Sequence, residues 1–103
     1  MNYRLDTTAD GVTVSLEGLL NYAANQDFVT LLQELGEIGA GQVVFDLSAL
    51  RHIDSVGLGM LYIAKEQLAG KGASICLSSP QPNVKRMLEL TEAGDVFEIR
   101  PVA

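Results

Sequence analysis

The stretch from Val43 to Leu61, VVFDLSALRHIDSVGLGML, constrains this chain more than any other. Val43-Val44-Phe45 is an unbroken apolar run, as expected of a central strand buried on both faces. The run ends on Asp46, and a short connection, Leu47 to Ile53, is expected to deliver Asp54 and Ser55 to the start of an apolar helix. Asp and Ser favour a helix N-terminus because a side-chain oxygen accepts from an otherwise orphaned backbone N–H. Gly57 and Gly59 follow in the first turn, where each glycine costs about 1 kcal/mol against alanine. A helix start weakened twice needs a reason, and one is that something approaches the backbone beside Ser55 closely.

The rest of the chain reads as strands and helices around that stretch. Tyr3 to Thr7 alternates weakly, as an edge strand does, and Asp10-Gly11 signals a hairpin. Val12 to Glu17 alternates apolar and polar cleanly, and Gly18-Leu19-Leu20-Asn21 is expected to leave that strand. Phe28, Leu31, Leu32, Leu35 and Ile38 recur at helical spacing, with Asp27, Gln33, Glu34 and Glu37 on the solvated side. Gly36, Gly39 and Gly41 break this helix.

A second helix spans about Val56 to Ala69, ended by Gly70-Lys71-Gly72. Its Leu58, Leu61, Ala64 and Leu68 form one stripe, and Val56, Met60 and Ile63 a second. Either the helix is deeply packed, or its first turns are left apolar for a partner; periodicity does not separate the two. Ala73 to Leu77 is a further strand, Val84, Met87 and Leu88 mark a short third helix, and Val96 to Ile99 a last strand. Strand–helix alternation after a hairpin gives an α/β fold: a mixed sheet of four to five strands with three to four packed helices, in one domain over residues 1–103.

Enzyme motifs are incomplete. His52, Asp54 and Ser55 sit within four consecutive residues, whereas a Ser-His-Asp triad is assembled from separate segments. A nucleophile elbow needs glycine where Ile53 stands, and Tyr62 stands where a dinucleotide fingerprint wants its third glycine. One His and one Cys, far apart, offer no zinc spacing, and the lone Cys76 in an apolar run reads as a buried structural thiol. No catalytic residue, metal or cofactor is therefore assigned. The formal charge of −6 argues against nucleic acid and anionic membrane as partners. Neither a signal peptide nor a run of about 20 apolar residues is present, so a cytoplasmic protein without membrane insertion is expected.

Asp54-Ser55-Val56-Gly57-Leu58-Gly59, preceded by a strand ending Asp46-Leu47-Ser48, resembles the signature of the STAS domain and, more narrowly, of the bacterial anti-sigma factor antagonists. The resemblance implies the STAS fold and a partner switch. In that family the serine matching Ser55 is phosphorylated by a serine kinase that is also the anti-sigma factor, and a PP2C-type phosphatase reverses it. Carried over, the partner-binding residues are Asp54, Ser55, Val56, Gly57, Gly59, Met60 and Ile63, with Asn21 standing where the family often has an acid. Val56 replaces a small polar residue, and the family's Leu-Thr-Gly appears as Leu90-Thr91-Glu92, expected to alter only a local turn. The alternatives are a constitutive STAS subunit of a lipid-transport ABC complex, in which Ser55 is only a helix cap, and a small hydrolase or nucleotide-binding enzyme.

Overall fold

In the computed structural model, which describes residues 1–102, one mixed sheet holds five strands in chain order. β1 (Asn2–Thr7) runs antiparallel to β2 (Val12–Leu20). β3 (Gln42–Ile53), β4 (Ser74–Ser78) and β5 (Glu98–Arg100) then join in parallel. Each parallel step crosses over through a helix: α1 (Asn25–Ile38), α2 (Ser55–Ala69) and α3 (Pro82–Leu90). Short 3₁₀ turns, Tyr22–Ala24 and Ala93–Asp95, complete the STAS architecture expected from the sequence.

The alternation in β2 and β3 decides which sheet face becomes core. Val12, Val14 and Leu16 lie beside Val43, Phe45 and Leu47 as fully buried residues, and Phe28 of α1 stacks on Phe45 with centroids 6.3 Å apart. Thr13, Ser15, Val44 and Asp46 point the other way and are only half-buried. Val44 thus corrects the expectation of a strand sealed on both faces. Cys76 pairs with Val44 in register and is buried, but it stands apart from the main core cluster.

Leu47 to Ile53 is not a connection: β3 continues through it. The reason lies in β2, which also outruns its expected end at Glu17 and reaches Leu20. Register shifts on either side of Glu17-Gly18, with Gly18 at φ +90°, let β2 bend and keep pairing as far as Leu20 with Ile53. β4 stops at Ser78 opposite Asp46 and leaves the far half of β3 without a neighbour on that edge. Two amides after β4 fill the gap. Gln81 Nε2 donates to the Ser48 carbonyl at 2.6 Å, and Asn83 Nδ2 donates to the Arg51 carbonyl.

Smaller corrections have similar local causes. The β1–β2 link is a longer turn, in which Thr8 N–H donates to the Gly11 carbonyl at 2.7 Å, and Gly11 is not in the left-handed region. Its glycine is needed because a Cβ there would sit 2.0 Å from the Gln42 carbonyl oxygen. Gly36 lies inside α1, which ends at Gly39 with φ +68°, and Ile38 is 42% exposed rather than part of the core. Val96 and Phe97 precede β5, and only Phe97 is buried, against Tyr62 of α2. Tyr3 ties β1 to α1 by donating its hydroxyl to Glu34 Oε1 at 2.7 Å, which with burial pushes the phenol up to about 12. A raised phenol favours folding below the unfolded value near 10, and this contribution fades as pH climbs towards about 12.

The start of α2 is pressed onto the end of β2. A Cβ on Gly57 would stand 2.0 Å from the Leu20 carbonyl oxygen, whereas one on Gly59 would meet nothing within 4 Å. Gly57→Ala is therefore expected to destabilise the fold by about 1–3 kcal/mol through forced displacement of backbone. Gly59→Ala should stabilise it by up to about 1 kcal/mol through helix propensity. Opposite shifts of Tm in thermal unfolding would bear this out. Glu92 occupies the left-handed region at φ +55°. Glu92→Gly should raise stability by about 0.5–1 kcal/mol, the relief of strain outweighing the added chain entropy.

Candidate functional site

The site is built where β2 and β3 both end. Asp54 is the N-cap of α2: its extended backbone turns the chain out of β3, and its Oδ1 accepts from Gly57 N–H at 2.8 Å. Asp54 N–H in turn lies 3.4 Å from the Leu20 carbonyl, the oxygen over which Gly57 packs. Asn21, next in chain to Leu20, does for the following 3₁₀ turn what Asp54 does for α2, accepting from Ala23 N–H at 3.0 Å. The amide oxygen caps the turn without carrying a charge. Both caps therefore meet at one carbonyl.

Ser55 is the first residue of α2 and is exposed. The cap hydrogen bond belongs to Asp54, so the fold has no need of the Ser55 hydroxyl for this purpose. The sequence left open whether α2 is packed or left bare, and the structure divides the helix between the two. Leu58, Leu61, Ala64 and Leu68 are buried; Val56 and Ile63 are 46% and 51% exposed. Met60, expected on the bare stripe, is 6% exposed and forms part of the floor between α1 and α2. Gly57 was expected to admit a partner, but the chain's own Leu20 holds that place. Gly59 is the glycine with open space beside it.

One residue escaped the sequence reading. Tyr22 is 77% exposed and directly follows Asn21 at this end of the molecule. An aromatic outside any helical or strand period, immediately after a cap residue, was the available signal. Side chains of this type dominate binding energy where they become buried in an interface.

The other reactive groups lie elsewhere. His52 is exposed, on strand β3 rather than in a loop. Burial pushes the Cys76 thiol up, and a contact with Glu98 adds to this while Arg100 partly offsets it, so the group is a poor nucleophile. Among the described residues no three His, Cys, Asp or Glu side chains converge as metal ligands, and no helix is long and apolar enough to cross a membrane.

Comparison with known proteins bears on the fold and the family. The chain is 30% identical over 94 residues to a STAS-domain containing protein of Pseudomonas aeruginosa strain UCBPP-PA14, covering 89% of this chain and 92% of that one. It is 26% identical over 91 residues to BtrV of Bordetella bronchiseptica, a protein provisionally named as an anti-sigma factor antagonist, covering 87% and 78%. The fold matches the anti-sigma factor antagonist SpoIIAA in its unphosphorylated form with a TM-score of 0.77 at 18% identity, over 95% of this chain and 87% of that one. The phosphorylated form of the Bacillus SpoIIAA matches at 0.69 and 17%, over 95% and 90%. The STAS domain family matches residues 3–102, and with the sheet order and the Asp54-Ser55 helix start in place the chain belongs to that family.

Proposed function

We propose that the chain is an anti-sigma factor antagonist, a binding module without catalysis of its own that is gated by phosphorylation of Ser55. The observation that carries this reading is the division of labour at the head of α2. Asp54 caps the helix, and Ser55 stands exposed beside it with no structural duty at the cap. A serine that the fold does not need at the cap, followed directly by exposed Val56, is suited to modification at the edge of an interface. The BtrV likeness and the two phosphorylation forms of SpoIIAA support the same class.

Unphosphorylated, the module binds an anti-sigma factor that is also its serine kinase, in the cytoplasm, and so releases the protein that factor restrains. A PP2C-type phosphatase restores the binding form. A phosphate on Ser55 adds about −1.5 to −2 charge at neutral pH. The N-terminal N–H groups of α2 accommodate that charge, so the domain remains folded. The partner does not accommodate it. Its approach over Val56 requires the phosphate to be desolvated, and Asp54 and the net charge of −6 add repulsion towards an acidic partner surface.

Stability and binding should consequently move in different directions. Ser55→Asp is expected to leave the unfolding free energy unchanged or raised by about 0.3–1 kcal/mol, by the helix dipole. The same substitution should weaken partner binding on the order of a hundredfold relative to Ser55→Ala, which corresponds to about 3 kcal/mol. Titration calorimetry with the partner, alongside thermal unfolding of both variants, measures the two quantities. Equal affinities would remove the switch and favour a permanently docked subunit of the lipid-transport type. Phosphopeptide mapping of protein from its native cells should find Ser55 partly modified, with an occupancy that follows growth conditions.

A further inference from the structure

A groove of about 330 Å³ runs between α1 and α2 and leads away from the Ser55 end. Val29 and Ile63 form its walls, 41% and 51% exposed, over a floor that includes Leu32 and Met60. At about 1.5 Å per residue, the α1 segment from Asn25 to Gln33 gives the groove a length near two helical turns. The chain has 13 acids against 7 Lys and Arg, yet no carboxylate lines this groove. Its one charged group is Lys71, beyond the C-terminus of α2, which makes no ion pair among the described residues.

The Lys71 ammonium lies over Gly36 of α1. A Cβ at that position of α1 would lie 2.5 Å from the Lys71 ammonium nitrogen, the free end of a flexible side chain that can move aside. A glycine inside a helix costs about 1 kcal/mol. Unlike Gly39, Gly36 needs no left-handed backbone. One cation thus closes an acid-free channel of mixed apolar and amide lining on an otherwise acidic protein.

We infer that this groove receives an amphipathic helix of the partner, laid along α1 and α2, with a carboxylate at one end placed against Lys71. The inference rests on the partner-switching reading above and extends it from the Ser55 end to the far end of α2. The trough between α1 and α2 is a surface on which the apolar residues of a third helix at i, i+4 and i+7 can pack. A carboxylate is the complementary group for Lys71, and the groove's other polar lining residues, Asn25, Gln33 and Gln67, are neutral amides.

The test is photo-crosslinking in the native cells, with benzoylphenylalanine placed separately at Val29, Ile63 and Val56 of the Ser55→Ala protein and at Asp10 as a remote control. Adducts are mapped by peptide mass spectrometry. Val29 and Ile63 are expected to mark one segment of one partner, with helical apolar spacing and an Asp or Glu at one end. Lys71→Glu should lower that yield at least about fivefold, the scale of one lost and reversed ion pair. Lys85→Glu on α3 should not. Adducts to a second copy of this chain, to lipid, or at no more than the Asp10 level would overturn the inference, as would equal effects of the two lysine changes. If Val56 marks a partner while Val29 and Ile63 do not, the groove assignment falls and the switch stands. If Val29 and Ile63 mark the same segment equally in Ser55→Ala and Ser55→Asp, the switch falls and the groove stands.

Discussion

The carbonyl of Leu20 is the point on which this molecule's functional end depends. It closes the last pairing of β2, faces the Asp54 N–H, and fills the space a side chain at Gly57 would take. Moving it would shift the strand end, the cap and the first turn of the helix together. Packing at this density transmits displacement rather than absorbing it. The exposed Ser55 is therefore held by a rigid junction, although the residue itself is not part of that junction.

The junction is held from the other side as well. β3 projects past β4, and a projecting strand with open carbonyls would leave its tip poorly fixed. Gln81 and Asn83 occupy those carbonyls from the segment that begins α3. Pro82, between them, needs no hydrogen bond at the first helical position and sets the backbone for the helix. The end of β3 thus has β2 on one edge and side-chain amides on the other. Both supports lie within a few residues of Asp54 and act to fix where Ser55 stands.

Much of this was legible in the sequence because it depends on local period and local chemistry. The alternation of Val12 to Leu16, the apolar run at Val43, the helical spacing of Leu31 and Leu35, and the Asp54 cap all state their own roles. What was hidden depends on contacts between distant segments. Leu47 to Ile53 lacks the alternation of a strand because the bulged pairing with β2 breaks its register, so it read as a loop. Gly57 and Gly59 look alike in the chain, and only the position of Leu20 separates a steric necessity from an open one. Gly36 likewise looked like a helix breaker, whereas it sits inside α1 beneath the ammonium of Lys71.

The same distinction bears on how a switch can coexist with a stable fold. A modified residue that also capped its helix would couple phosphorylation to unfolding, and the output would be loss of protein. Here the cap and the serine hydroxyl are adjacent but separate, Asp54 taking the backbone N–H and Ser55 facing solvent. Charge added at Ser55 then meets favourable N–H dipoles on the inside and an apolar surface at Val56 on the outside. The free-energy change is directed towards whatever covers Val56 and Ile63, and away from the core beneath them.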